Sequence, residues 1–309
     1  MGLNKYVLIA AQFCCTAIVH AQQNGDLIGK SAVQLPEYST VKGIDFYYTQ
    51  PEYDETLHDT SFHIQKLQYW SDNLKVVAYM ASPKKAAGKK LPVIIFNRGS
   101  YIRNDIAYMH APLFRKYTKA GYIVIAPALR GSEGGEGTDE MGGNDVDDIM
   151  NIYPLLLQMG NVDTSRVFMY GESRGGMMTF LALAKKFPVK AAATVGAFTD
   201  MQMFNDDNPY IINVSHQIWK DYDEHKDSII YKRSVVNWAD LINVPVLVMQ
   251  GGADPQVRPF ESLKLVNIFQ QKQKTYQYII LQNGNHILSH EWTDERDRQI
   301  LNWFERYSK

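Results

Sequence analysis

The sequence predicts an α/β fold, a mostly parallel central sheet with helices on both faces, and three observations carry that expectation. Short apolar runs suited to strands buried on both faces recur at residues 93–96, 122–126, 167–170, 191–195, 246–249 and 278–281. Helical patterns lie between them, at 111–120, 146–159, 177–187 and 260–273. A Gly-x-Ser-x-Gly turn joins the third run to the helix that follows it.

From the N-terminus, Lys5, an apolar stretch over 6–19 and Val19-His20-Ala21 before Gln22 read as a secretory signal, residues 1–21. The apolar run is shorter than the roughly 20 residues that a membrane-spanning helix needs. Both cysteines of the chain, Cys14 and Cys15, fall inside it. The exported chain, periplasmic or secreted, is therefore expected to carry no cysteine, so its nucleophile must be oxygen or nitrogen. Residues 22–60 are polar apart from Phe46-Tyr47-Tyr48 and are expected to form an extended arm on the body of a single domain spanning 61–309. Alternation on either side of Ser71-Asp72-Asn73 predicts a hairpin. Residues 198–240 carry Met201, Met203, Phe204, Tyr210, Ile218, Trp219 and Tyr222 among acids and amides without a strand signal, and are expected to be a small helical cap over a cleft.

The balance of 32 Lys+Arg against 33 Asp+Glu leaves no clustered positive charge for nucleic acid. Chemistry points instead to Gly171-Glu172-Ser173-Arg174-Gly175. Between a buried strand and a helix, this turn projects the Ser173 hydroxyl at a helix N-terminus, where the dipole favours negative charge. A serine needs a histidine to take its proton and a carboxylate to orient that histidine, in the chain order Ser, Asp/Glu, His. His286 follows the last strand and a Gln-Asn-Gly-Asn turn, whereas His290 is expected on the next helix. The pair His286-x-x-x-His290 has metal-ligand spacing, but a zinc protease would have Glu where Ile287 stands. The acid is Asp254, after the strand at 246–249 and Gly251-Gly252, with Asp200 its rival one strand earlier. An oxyanion needs two donors. One is the Arg174 backbone N–H; for the other a backbone N–H near Gly99, the Tyr101 hydroxyl and the Asn97 side chain all stand open.

Four segments together resemble the catalytic domain of the prolyl oligopeptidase (S9) family, close to the dienelactone hydrolase branch of the α/β-hydrolases. They are the hairpin stretch at 68–75, Arg130-Gly131-Ser132-Glu133-Gly134-Gly135, the turn Gly171 to Gly175, and Gly251-Gly252-Ala253-Asp254 with Asn285-His286. The resemblance runs from about residue 62 to the C-terminus and implies an α/β-hydrolase fold. Two departures separate the chain from oligopeptidases: fewer than 100 residues precede the strand at 93–96, too few for their β-propeller, and there is no paired-Glu segment of the kind that dipeptidyl peptidases use on a substrate amino terminus. The loop at Asn97 to Tyr101 also looks like the Arg-x-x-Tyr loop of cocaine esterase-like acyl hydrolases, which implies an oxyanion role for the tyrosine.

The expected protein is an exported, cofactor-free serine hydrolase acting through an acyl-enzyme on a small ester, with a short peptide as the alternative substrate. No nucleic-acid partner is expected, and no membrane association once the leader is removed. A hydrolase-like scaffold that binds without turnover is the reading from another class.

Overall fold

The computed structural model describes residues 22–85, 88–101, 104–209 and 211–309. The expected leader, with Cys14 and Cys15, lies outside them, as does Tyr210. The described residues build one nine-stranded sheet: β1 (Leu27–Ala32), β2 (Phe62–Ser71), β3 (Leu74–Pro83), β4 (Leu91–Asn97), β5 (Ile123–Pro127), β6 (Val162–Glu172), β7 (Ala191–Val195), β8 (Val246–Gly251) and β9 (Tyr276–Leu281). Their order is β1-β2-β3-β5-β4-β6-β7-β8-β9.

The six apolar runs become the parallel strands β4 to β9. Those in the middle have to be apolar on both faces because helices cover both. Met177 and Phe180 of the helix Arg174–Ala184 pack on one face, with Leu265 and Phe269 of Pro259–Gln271. Leu113, Phe114 and Tyr117 of Ala111–Lys119 pack on the other, with Trp303 and Phe304 of Thr293–Arg306. The hairpin of β2 and β3 closes with Ser71 opposite Leu74, and Asp72 and Asn73 both take positive φ (51° and 64°), as a tight turn matched to strand twist requires.

Three expectations change. The arm is not extended throughout: β1 pairs antiparallel with β2, and Gln50–Leu57 is a helix. The helix starts where the Glu52 carboxylate accepts the Thr49 N–H at 2.7 Å, a capping box, with Pro51 in its first turn. The pattern at 146–159 breaks into Val146–Met150 and Ile152–Leu157, because Pro154 has no N–H for the carbonyl four residues back. The insertion at 198–240 is helical, with Met201–Asp207, Ile211–Ile218 and Tyr222–Arg233, but it packs over the loop at 140–142, where Arg233 donates to the carbonyls of Met141 (2.6 Å) and Glu140 (2.9 Å).

The strand order places the site. From β4 the chain moves outward to β5 and then returns past β4 to β6, so the helices after β4 and β6 leave on opposite faces. Their loops diverge and open a crevice at the C-terminal ends of these two strands.

The insertion leaves the sheet at Thr199 and Asp200, whose N–H groups donate to the buried Glu261 carboxylate at 3.0 and 3.3 Å. Burial pushes this carboxyl up to about 8, against those two donors, with Asp200 and Asp207 adding to the rise. An acid that binds its proton more tightly in the folded chain favours folding below its unfolded pKa of about 4.5, and that contribution shrinks as pH rises from there to about 8. Glu261→Gln is expected to flatten the fall of melting temperature across pH 5–8, as measured by thermal unfolding at fixed ionic strength; an unchanged slope would remove Glu261 as its source.

Candidate active site

Gly171 and Gly175 set the turn after β6. A Cβ on Gly175 would lie 1.8 Å from the Asn97 carbonyl oxygen at the end of β4, and one on Gly171 would lie 2.2 Å from the Gly175 oxygen. Only bare backbone fits there. Ser173, between them, is held at φ 54° and ψ −125°, a conformation that non-glycine residues rarely adopt. Its Oγ stands at the start of the helix Arg174–Ala184.

His286 Nε2 lies 2.8 Å from Ser173 Oγ, and His286 Nδ1 lies 2.8 Å from Asp254 Oδ2. His286 and Asp254 are buried, while Ser173 retains partial access. The Asp254 carboxylate also accepts from Gln250 Nε2 at 2.9 Å and from the N–H groups of Gln256 and Val257 at 2.8 and 2.9 Å. Four donors suit an ionised acceptor and fix its direction. Asp200 serves otherwise: its carboxylate caps the helix Met201–Asp207 through the N–H groups of Gln202 and Met203, and pairs with Lys264. His290 opens a short 3-10 turn, and no group of three or more His, Cys, Asp or Glu able to hold a metal occurs among the described residues.

The loop after β4 is drawn in by two buried guanidiniums. Arg98 Nη1 donates to the carbonyls of Gly99, Ser100 and Tyr101 at 2.9, 3.1 and 2.6 Å, and its Nη2 donates to Ala128 O and Ser132 Oγ. Arg174 Nη1 adds a bond to the Ser100 carbonyl at 3.0 Å. Because a trans peptide is planar, turning a carbonyl inward turns the next N–H outward. The Gly99 backbone itself passes Ser173: a Cβ there would lie 3.2 Å from Ser173 Cβ. The other two expected donors point elsewhere. The Tyr101 hydroxyl donates to the Asp139 carbonyl at 3.0 Å, and Asn97 Nδ2 donates to Thr179 Oγ1 at 2.9 Å.

Arg174, expected only as a backbone donor, also anchors the site through its side chain, which pairs with Asp139 (2.5 Å) and Asp145 (2.8 Å). Across the pocket, Arg296 Nη1 donates to the carbonyl of Ile287, the residue after His286, at 3.1 Å and pairs with Glu172 at 3.4 Å. Glu172 also accepts the Tyr170 hydroxyl. Burial raises the Glu172 pKa, while Arg296 and the Tyr170 hydroxyl oppose the rise. The cavity around Ser173 and His286 measures about 240 Å³ and is lined further by Gly99, Ser100, Glu172, Gln256 and Ile287, with Gly43, Phe46 and Tyr47 of the arm. Its lining includes no residue of the helical insertion, so among the described residues the arm takes the place expected of a cap.

A hydroxyl, an imidazole and a carboxylate in line, beside backbone donors at a helix N-terminus, can carry out acyl transfer. Comparison with known proteins agrees. The sequence model of the prolyl oligopeptidase family matches residues 109–309. The chain belongs to the prolyl oligopeptidase family. It is a serine hydrolase of that family, with an α/β-hydrolase fold. Among its relatives, the uncharacterised peptidase YtmA of Bacillus subtilis is 24% identical over 237 residues, covering 76% of this chain and 90% of that protein. The acylaminoacyl peptidase of Pyrococcus horikoshii superposes with a TM-score of 0.64 at 21% identity over 81% of this chain, but this chain spans only 42% of it. Acetyl xylan esterase from Paenibacillus sp. R4 superposes with a TM-score of 0.65 at 15% identity, covering 89% of this chain and 97% of the esterase.

If Asp254 orients His286, Asp254→Asn should lower kcat for an aryl acetate by about 10³–10⁴-fold, whereas Asp200→Asn should stay within a few-fold of wild type. Steady-state kinetics on both folded variants checks this, and the reverse ranking would reassign the acid.

Proposed function

We propose that this member of the prolyl oligopeptidase family hydrolyses small carboxylic esters through an acyl-enzyme. Ser173 Oγ attacks the ester carbonyl as His286 Nε2 takes its proton. Asp254, held by its four donors, keeps the imidazole oriented and balances the positive charge that forms on it. The tetrahedral oxygen is received by the backbone N–H of Arg174 and an N–H of the Gly99–Ser100 segment that Arg98 and Arg174 hold in place. His286 then gives its proton to the leaving oxygen, and a water enters by the same route in reverse. The observation that carries the reading is the line from Ser173 through His286 to Asp254, with 2.8 Å at each step, opening onto a cavity.

Two features favour an ester over a peptide. At about 240 Å³ the cavity is smaller than the roughly 300–1,000 Å³ of drug-sized ligand sites, which suits a short acyl group. Its lining carboxylate, Glu172, is engaged by Tyr170 and Arg296, so it offers nothing to the ammonium group of a peptide's amino terminus. The likeness to acetyl xylan esterase over 97% of that chain agrees with an ester substrate. Short peptides are the second reading, favoured by the similarity to YtmA over nine-tenths of that peptidase. A binding role without turnover is disfavoured by the formed hydrogen-bond line. The Lys5, apolar 6–19 and Ala21 pattern supports export.

Phenyl acetate and p-nitrophenyl butyrate should be turned over at least tenfold faster, in kcat/KM, than alanyl or prolyl p-nitroanilides and Pro-containing tripeptides. Faster anilide or peptide cleavage would overturn the preference.

A further inference from the structure

Residues 43–47 belong to the N-terminal arm, yet they form one wall of the cavity around Ser173. Contacts on two sides hold them there. Ser289 Oγ donates to the Phe46 carbonyl at 3.0 Å, and Ser289 is itself tied to Asn285 by its own N–H and by Asn285 Nδ2, each at 2.9 Å, so the arm is joined to the turn that carries His286. On the other side Tyr47 meets the His110 ring edge-on, with centroids 5.5 Å apart. Ile44 and Tyr48 sink into the core. Gly43, at φ 77°, makes the bend that starts the 3-10 turn Ile44–Phe46. Although its backbone is fixed, Phe46 leaves 42% of its surface exposed, a large apolar ring at the mouth of a polar site.

The chemistry decides which part of a substrate meets that ring. His286 Nε2 must hand its proton to the leaving atom, which therefore lies within hydrogen-bond reach of the imidazole. The acyl oxygen faces the other way, toward Arg174 N–H and the Gly99–Ser100 backbone. The leaving group is thus laid against the turn carrying His286, whose neighbours in the cavity wall are Ile287 and Phe46.

We infer that Phe46 is a specificity-determining residue that receives the leaving group, and that the site prefers a flat, apolar one such as an aryl alcohol. This rests on the triad and acyl-enzyme proposed above. The arm makes leaving-group choice independent of the oxyanion loop, and a ring pair of this kind discriminates by several-fold rather than by orders of magnitude.

The test compares wild type with Phe46→Ala on phenyl acetate, trifluoroethyl acetate and phenyl butanoate. The variant-to-wild-type ratio for each substrate cancels its intrinsic reactivity. Phe46→Ala is expected to lower kcat/KM for both phenyl esters about five- to tenfold, mainly through KM, and for trifluoroethyl acetate by less than twofold. Phe46→Tyr should restore the aryl preference. Phe46→Leu, which keeps apolar bulk without a flat face, should lose it and serves if the alanine variant is unstable. Equal losses on the two acetates, or a loss that grows with acyl length, would overturn the inference. Fluorophosphonate labelling separates the two levels: a wild type that does not label removes the acyl-enzyme reading and this inference with it, whereas labelled enzymes with no leaving-group discrimination remove the role of Phe46 alone.

Discussion

The geometry around Ser173 depends on how closely the turn after β6 approaches the end of β4. Gly175 sits against the Asn97 carbonyl with no room for a Cβ, and Thr179 stitches the two together, accepting from Asn97 Nδ2 and donating to the Gly175 carbonyl, each at 2.9 Å. This contact brings the helix that starts at Arg174 under the loop that starts at Arg98. It also forces Ser173 into its strained backbone conformation, which lifts the hydroxyl clear of the sheet. Histidine and acid are added from β9 and β8, whose C-terminal ends lie on the same edge. The close approach of two backbones therefore comes first, and the line from Ser173 through His286 to Asp254 follows from it.

Around that contact, buried guanidiniums organise what backbone alone would leave loose. Arg98 gathers three successive carbonyls, Arg174 adds to one of them, and Arg296 holds the carbonyl after His286. Arg174 and Arg296 are matched by buried carboxylates, Asp139 and Asp145 for the first, Glu172 and Asp297 for the second. Pairs of this kind gain little net stability, but losing one partner leaves an uncompensated buried charge, so the arrangement is rigid. Rigidity is what an oxyanion site requires, since donors already in place need no reorganisation as charge develops.

Much of this was legible in the sequence for identifiable reasons. Strands β4 to β8 announce themselves because burial on both faces demands apolar runs, and Ser173 and Asp254 follow two of them; His286 follows the partly buried edge strand β9, marked by the apolar run at 278–281, so the edge the three share comes from topology. The edge strand β1 gave no such signal because all six of its residues are exposed. The helix Gln50–Leu57 did have one, Thr49-Pro51-Glu52, within a stretch whose lack of periodicity suggested an extended chain. Side-chain direction is not written in spacing: Tyr101 stands where a hydroxyl donor was expected and turns to Asp139, and Arg98 looks like any loop arginine until its burial is seen. Likewise the aromatic run Phe46-Tyr47-Tyr48 was visible, but its place beside His286 depends on the Ser289 bond across 243 positions of sequence.

The central claim is that a strained, partly accessible Ser173 is the one hydroxyl activated for acyl transfer. Intact-mass and peptide mapping after treatment with a fluorophosphonate tests it most directly. One adduct per chain, on the peptide containing Ser173 and absent from a folded Ser173→Ala variant, is the predicted result. An adduct on a different residue, or none on the folded wild-type protein, would contradict it.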